Sequence, residues 1–164
     1  MNEKKSLEFH AVLSFTEEYN RTHRRTLQLV HLCEPPMPDT LCLLHRREIG
    51  IEVAHIYGTG IEAAIRLGHQ KSEDYPDEVH QARRITPLPL RVLPALKRVL
   101  RKKATRSYDM HPVWLLIRNG FPLWSLADYR RHKSCVHVPE NSPFSQVWLV
   151  CDRNCAPPHG IMRL

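Results

Sequence analysis

The spacing of apolar positions changes several times along the chain, and each change predicts a different element. In "SLEFHAVLSFTEEYN" (6–20), Leu7, Val12, Leu13 and Phe15 follow a helical rhythm, which predicts a first helix. "TLQLVHLC" (26–33) is rich in residues that suit a pleated, half-buried surface and reads as a strand. "EPPMP" then interrupts regular structure, because proline lacks the backbone donor that a ladder or helix interior needs. "TLCLLHR" and "EIGIEVAHIYG" follow as two strands around a tight turn near His45 to Glu48, together a β-hairpin.

Beyond residue 58, "IEAAIRLG" suggests a short helix and "QKSEDYPDEVHQARRITPLPL" a long polar, proline-punctuated surface loop. From Pro89 to Ser107 the period is helical, with Val92, Leu93, Leu96, Val99, Leu100 and Ala104 on one face and Pro94 expected in the first turn. "PVWLLIRNG" predicts a buried strand ended by an Asn-Gly turn, "LWSLADYRRHK" a helix, and "SQVWLVCD" (145–152) the last strand. Residues 153–164 are expected to be loosely structured. Hairpin strands mixed with helical crossovers indicate one α/β domain over 1–164, a mixed β-sheet with a core hairpin flanked by helices.

Composition fits that picture: 164 residues with 42% hydrophobic and 25% charged content suit one globular domain. No run is long enough to span a bilayer and "MNEKKSLEFH" lacks a signal-peptide core, so a cytoplasmic protein without a membrane partner is expected. Twenty-four Lys and Arg against seventeen Asp and Glu leave a net charge of +7, which favours polyanionic partners, although a solvated basic surface explains it equally well. The five cysteines are odd in number and scattered, and read as reduced thiols. Cys135, Cys151 and Cys155 with His137 and His159 lack the paired spacing of a zinc site.

The most specific chemistry lies in "PPMPDTLCLLHRREIGIEVAHI" (35–56). Asp39 heads one strand of the hairpin and Glu52 lies inside the other, so the two carboxylates can converge on one face. A Mg²⁺-type ion needs only one or two carboxylates besides water and phosphate oxygens. Glu52 stands between Ile51 and Val53, where an unpaired charge is expensive. Two plainer readings stand beside a metal site: Asp39 capping a turn, and Glu52 paired with an Arg or Lys from a packed helix.

These residues resemble the core hairpin of the PD-(D/E)XK nuclease superfamily, the restriction-endonuclease-like fold. Its Pro-Asp pair matches Pro38-Asp39 and its acidic residue on the next strand matches Glu52, while Ala54 stands where the family has a lysine. The resemblance implies a metal-dependent hydrolase of nucleic-acid phosphodiesters, with Mg²⁺ or Mn²⁺ on Asp39 and Glu52. Lys103 offers a displaced lysine, a variation the superfamily contains. It lies at i+7 from Leu96, i+4 from Val99 and i+3 from Leu100, near the centre of the apolar helix face, with Glu52 as the available anion. A lysine near a helix end that snorkels to solvent is the alternative. His55 falls on the opposite strand face from Glu52 and is set aside as a base. The first helix could add one carboxylate from Glu8, Glu17 or Glu18, though a solvated helix face is the better default. The vacancy at Ala54 equally suits an inactive nuclease-fold protein that binds nucleic acid or a protein partner.

For nucleic acid, DNA ahead of RNA, the expected contacts are Lys97, Arg98, Arg101 and Lys102 on the long helix and Arg130 and Arg131 in "DYRRHK", with Tyr129 available to stack on a base. Trp114 and Trp148 are expected in the core. A homodimer or a protein partner is compatible with the same composition.

Overall fold

A computed structural model describes residues 3–57, 88–121 and 124–164. The short helix and loop expected between 58 and 87 lie outside the described residues. Helix α1 (Glu3–His23) buries Ala11, Val12, Phe15 and Tyr19. It leads into β1 (Leu27–Leu32), then β2 (Thr40–Leu44) and β3 (Arg47–Ile56). The turn between β2 and β3 is His45 and Arg46, whose φ values of 50° and 68° give the doubly left-handed bend that matches hairpin twist.

Helix α2 (Leu88–Ala104) contains Pro94 in its interior rather than in its first turn. Val92, Leu96 and Leu100 are buried on either side of it, so the apolar stripe keeps the helix going past one forgone hydrogen bond. β4 (Val113–Asn119) is buried at every position, as suits a central strand covered on both faces. α3 (Leu126–Arg131) is shorter than expected and opens on a capping box between Ser125 and Asp128; a 3₁₀ turn (Lys133–Cys135) follows it. β5 (Phe144–Cys151) and β6 (Gly160–Arg163) complete the chain.

The expectation of a loose tail is corrected by β6. It pairs antiparallel with β5, and Ile161 and Met162 bury themselves in opposite faces of the sheet.

The six strands form one mixed open sheet in the order β1-β2-β3-β4-β5-β6. β3, β4 and β5 run parallel, and β1, β2 and β6 are antiparallel to their neighbours. One face carries α1, with Phe15 and Tyr19 against Trp114 and Trp148. The other carries α2 and α3, with Leu96, Leu100, Leu115, Ile117 and Trp124. Both expected core tryptophans are thus on the α1 side, 3% and 6% exposed. Among the described residues no helix is long and apolar enough to cross a membrane.

Candidate functional site

The site forms because β2 is shorter than β3. Their last paired residues are Thr40 and Ile51, yet β3 continues to Ile56. The Gly50 N–H donates to Pro112 and the Ile56 carbonyl accepts from Gly120, so even-numbered peptide groups of β3 face β4. Odd-numbered groups past Ile51 therefore face the space that β2 has left. Side chains occupy it at Val53: its N–H donates to Asp39 Oδ2 at 2.8 Å, and its carbonyl accepts from Lys103 Nζ at 3.1 Å.

Asp39 is placed from behind by packing. Pro38 is buried against Gly50, where a Cβ would overlap the proline ring and come within 2.9 Å of Met110 Sδ. Glycine is required there for close approach. Thr40, fully buried, donates its hydroxyl to Ile51 at 3.3 Å and fixes the same strand end.

Glu52 belongs to the face that carries α2, and α2 supplies its partner. Lys103 Nζ lies 2.5 Å from Glu52 Oε1, with the lysine side chain 19% and the glutamate side chain 10% exposed. The position of Lys103 on the apolar face explains this, since only there does its stem descend toward the sheet. The two carboxylates repel one another. Burial first, then Glu52 and Glu8, push the Asp39 carboxyl up to about 6 against the opposing pull of the Val53 N–H and Lys103.

Of Glu8, Glu17 and Glu18 on α1, Glu8 joins this group. It is 5% exposed and binds Lys4 Nζ at 3.2 Å. Glu17 is exposed, and Glu18 is held below the ordinary carboxylate range by its bonds to Arg21. The signal for Glu8 was available in the sequence, because it precedes the buried Val12 and Phe15 by four and seven residues on the same helix face. Tyr108 had no such signal. Its hydroxyl is buried, and the phenol is raised by burial first and by Glu52 second.

A cleft of about 630 Å³ opens beside these groups between α1 and α2, floored by Val53, Ala54 and His55, with Lys4, Glu8 and Lys103 among its walls. Lys4 and Glu8 also line a smaller space of about 170 Å³ next to Asp39. His55 shares the α1 side of the sheet with Val53 as expected, but it nevertheless faces the cleft.

The expected basic contacts divide into two groups. Lys97, Arg98, Arg101 and Lys102 are exposed along the outer side of α2, and Lys102 joins that surface to the cleft. Arg130 and Arg131 are exposed on α3 and line neither. Tyr129 is not available to a base: it is 1% exposed, and its hydroxyl donates to Asn119 Oδ1 at 2.9 Å. All five cysteines are free, and Cys135 is exposed apart from the buried Cys151 and Cys155.

Among the described residues no group of three or more His, Cys, Asp or Glu side chains is placed to hold a metal ion. A divalent ion here would have from the described residues the carboxylates of Asp39 and Glu52, a small protein share that a hard ion accepts when it keeps water ligands and takes the rest from a phosphate. Such an ion would neutralise the repulsion from Glu52 that, after burial, raises the Asp39 carboxyl. No family model, curated protein or solved structure matches the chain.

Proposed function

We propose that this is a divergent nuclease of the restriction-endonuclease-like type, hydrolysing nucleic-acid phosphodiesters, DNA ahead of RNA, with a divalent ion. Asp39 and Glu52 would hold Mg²⁺ or Mn²⁺, and Lys103 takes the place left by Ala54. The observation that supports this best is the junction at Val53. There the N–H and the carbonyl of one residue, both facing the space left by β2, are taken by Asp39 and by a lysine that also binds Glu52. When bound, the ion supplies electrophilic polarisation of the phosphate and a more acidic water. Lys103 contributes a fixed positive charge at the point where negative charge develops, and Tyr108 borders the Glu52 carboxylate. The exposed cations of α2 track the phosphate backbone beside the site. This reading carries a cytoplasmic location with it.

A second reading is favoured by the same lysine. An ammonium already bonded to Glu52 supplies the positive charge that a metal would bring, as expected of an inactive nuclease-fold protein that binds nucleic acid. Incubation of mixed single- and double-stranded DNA and RNA with Mg²⁺, Mn²⁺ or EDTA separates the two. The nuclease reading requires metal-dependent cleavage that Asp39→Ala and Glu52→Ala abolish. Absence of cleavage, together with a melting temperature unmoved by either ion, leaves the inactive reading.

A further inference from the structure

His55 is half-buried, with both ring nitrogens withdrawn from solvent. Among the described residues neither Nδ1 nor Nε2 has a hydrogen-bond partner, although the ring lines the α1–α2 cleft. An orphaned buried polar group costs stability, and its retention points to a partner that arrives from outside. The surroundings specify the sign of that partner. Lys4 from α1, Lys103 from α2 and Arg118 from β4 all disfavour a charge on the ring, and Asp152 after β5 is the opposing carboxylate. Arg118 is bound to Asp152 at 2.7 Å, so that carboxylate is already engaged. Among the described residues, Glu3 and Glu8 from α1, Lys102 and Arg106 from the α2 side, and Tyr57 just past the end of β3 add to the ionisable lining. Among the described residues four cations thus face two carboxylates in the cleft, one of which is tied to Lys4.

We propose that this cleft binds a phosphate oxyanion of the nucleic-acid backbone, and that His55 donates a hydrogen bond to it, taking up a proton as the strand enters. The proposal rests on the reading of the protein as a nucleic-acid partner, and it is independent of the metal. Burial and the three cations hold the His55 imidazolium down at about 4 in the free protein, so the ring waits neutral with both nitrogens unfilled. A phosphodiester beside it favours the charged ring, opposing both the cost of burial and the cationic field, and so raises it toward its ordinary value of about 6.5. Binding and protonation are then linked.

The experiment measures the affinity of fluorescein-labelled octathymidylate by anisotropy from pH 5.5 to 8 in EDTA, for the wild type and His55→Gln. Neither thymine nor the phosphodiester titrates there, and Asp39 titrates in both proteins, so the affinity ratio isolates His55. That ratio is expected to widen about 4-fold between pH 8 and pH 6, the factor set by a rise from about 4 to about 6.5. A ratio constant with pH overturns the proposal, as does equal pH-linked binding of polyglutamate, which would make the cleft a site for acidic protein. Histidine ring NMR of the wild type gives the same answer without a variant: a His55 signal that stays neutral at pH 6 in both free and oligonucleotide-bound protein refutes it. The exposed rim pair Lys102→Ala with Arg106→Ala should bind less tightly and lower the salt slope by about 1.4, at about 0.7 per single-strand phosphate contact; an unchanged slope removes the cleft from the binding surface. Metal-dependent cleavage with a flat His55 ratio sinks this proposal alone. Linked binding without any cleavage sinks the nuclease reading alone.

Discussion

Lys103 and Glu52 are 51 residues apart in the chain, and their charged atoms are 2.5 Å apart in the fold. The pair joins α2 to β3, and both side chains are largely withdrawn from water. Removing one member leaves the other buried and uncompensated, which costs more than the pair contributes as a whole. Lys103→Met is expected to destabilise the protein by about 2–3 kcal/mol, below the range for fully buried pairs because some water access remains. Lys103→Met with Glu52→Gln should recover more than half of that. Urea unfolding of the four proteins in the cycle, in EDTA, measures it; additive losses would show that the two charges do not interact.

Asp39 predicts a pH dependence of opposite character. Its folded-state value of about 6 lies above the unfolded value of about 3.9, so the native protein binds the extra proton between them. An acid raised in this way destabilises the fold as pH climbs from about 4 through about 6. Asp39→Asn keeps an acceptor for the Val53 N–H and removes the charge. It should therefore be more stable than wild type at pH 7.5 in EDTA, by up to about 3 kcal/mol, with the gain gone near pH 4. Equal denaturation midpoints at pH 7.5 and pH 4 would refute the burial argument. Saturating Mg²⁺ should erase most of the gain by stabilising the wild type alone, if the ion binds there.

The order of elements was legible because each depends on local periodicity. The hairpin, the long helix and the buried β4 and β5 all carry strong apolar patterns. Lys103 was legible for the same reason, since a lysine among Leu96, Val99 and Leu100 has to find an anion. What escaped was set by contacts between distant segments. β6 is only Gly160–Arg163, too short for its alternation to stand out, and it exists because β5 offers an open edge. His55 was assigned to its strand face correctly, but the early end of β2 that opens a cleft onto it is a tertiary fact. Tyr108 lies within the field of Glu52 on an irregular segment, where no period applies. Tyr129 looked like an exposed aromatic among cations, but α3 turns it inward onto Asn119.

Gly50 should be intolerant of even one carbon. A methyl there overlaps Pro38 and crowds Met110, and the proline leads directly into Asp39. Overpacking of this kind costs about 1–3 kcal/mol. Gly50→Ala is expected to lower the melting temperature and also to weaken divalent-ion stabilisation, because Asp39 moves with its neighbour. Gly50→Ala combined with Pro38→Ala should restore part of the stability by removing the ring that is hit. Full wild-type stability in Gly50→Ala alone would show that the contact is slack.

The basic surface makes the last prediction, and it separates two clusters that the sequence treated alike. Lys97, Arg98 and Arg101 lie exposed on α2 beside Lys102, which continues into the cleft. Arg130 and Arg131 lie on α3, with Arg131 already 3.6 Å from Asp128, and neither lines that surface. A strand running along α2 into the cleft would neutralise its phosphates on the first cluster only. Lys97→Ala, Arg98→Ala and Arg101→Ala together should reduce the salt slope of double-stranded DNA binding by about 2.7, at about 0.9 per phosphate contact. Arg130→Ala with Arg131→Ala should leave it within about 0.3, the residue of long-range field alone. All five positions are exposed, so neither change should move the melting temperature by more than the small shifts typical of surface substitutions. Equal loss of slope in the two variants would mean that nucleic acid wraps past the sheet to α3, or that the binding is a response to net charge and uses no particular face.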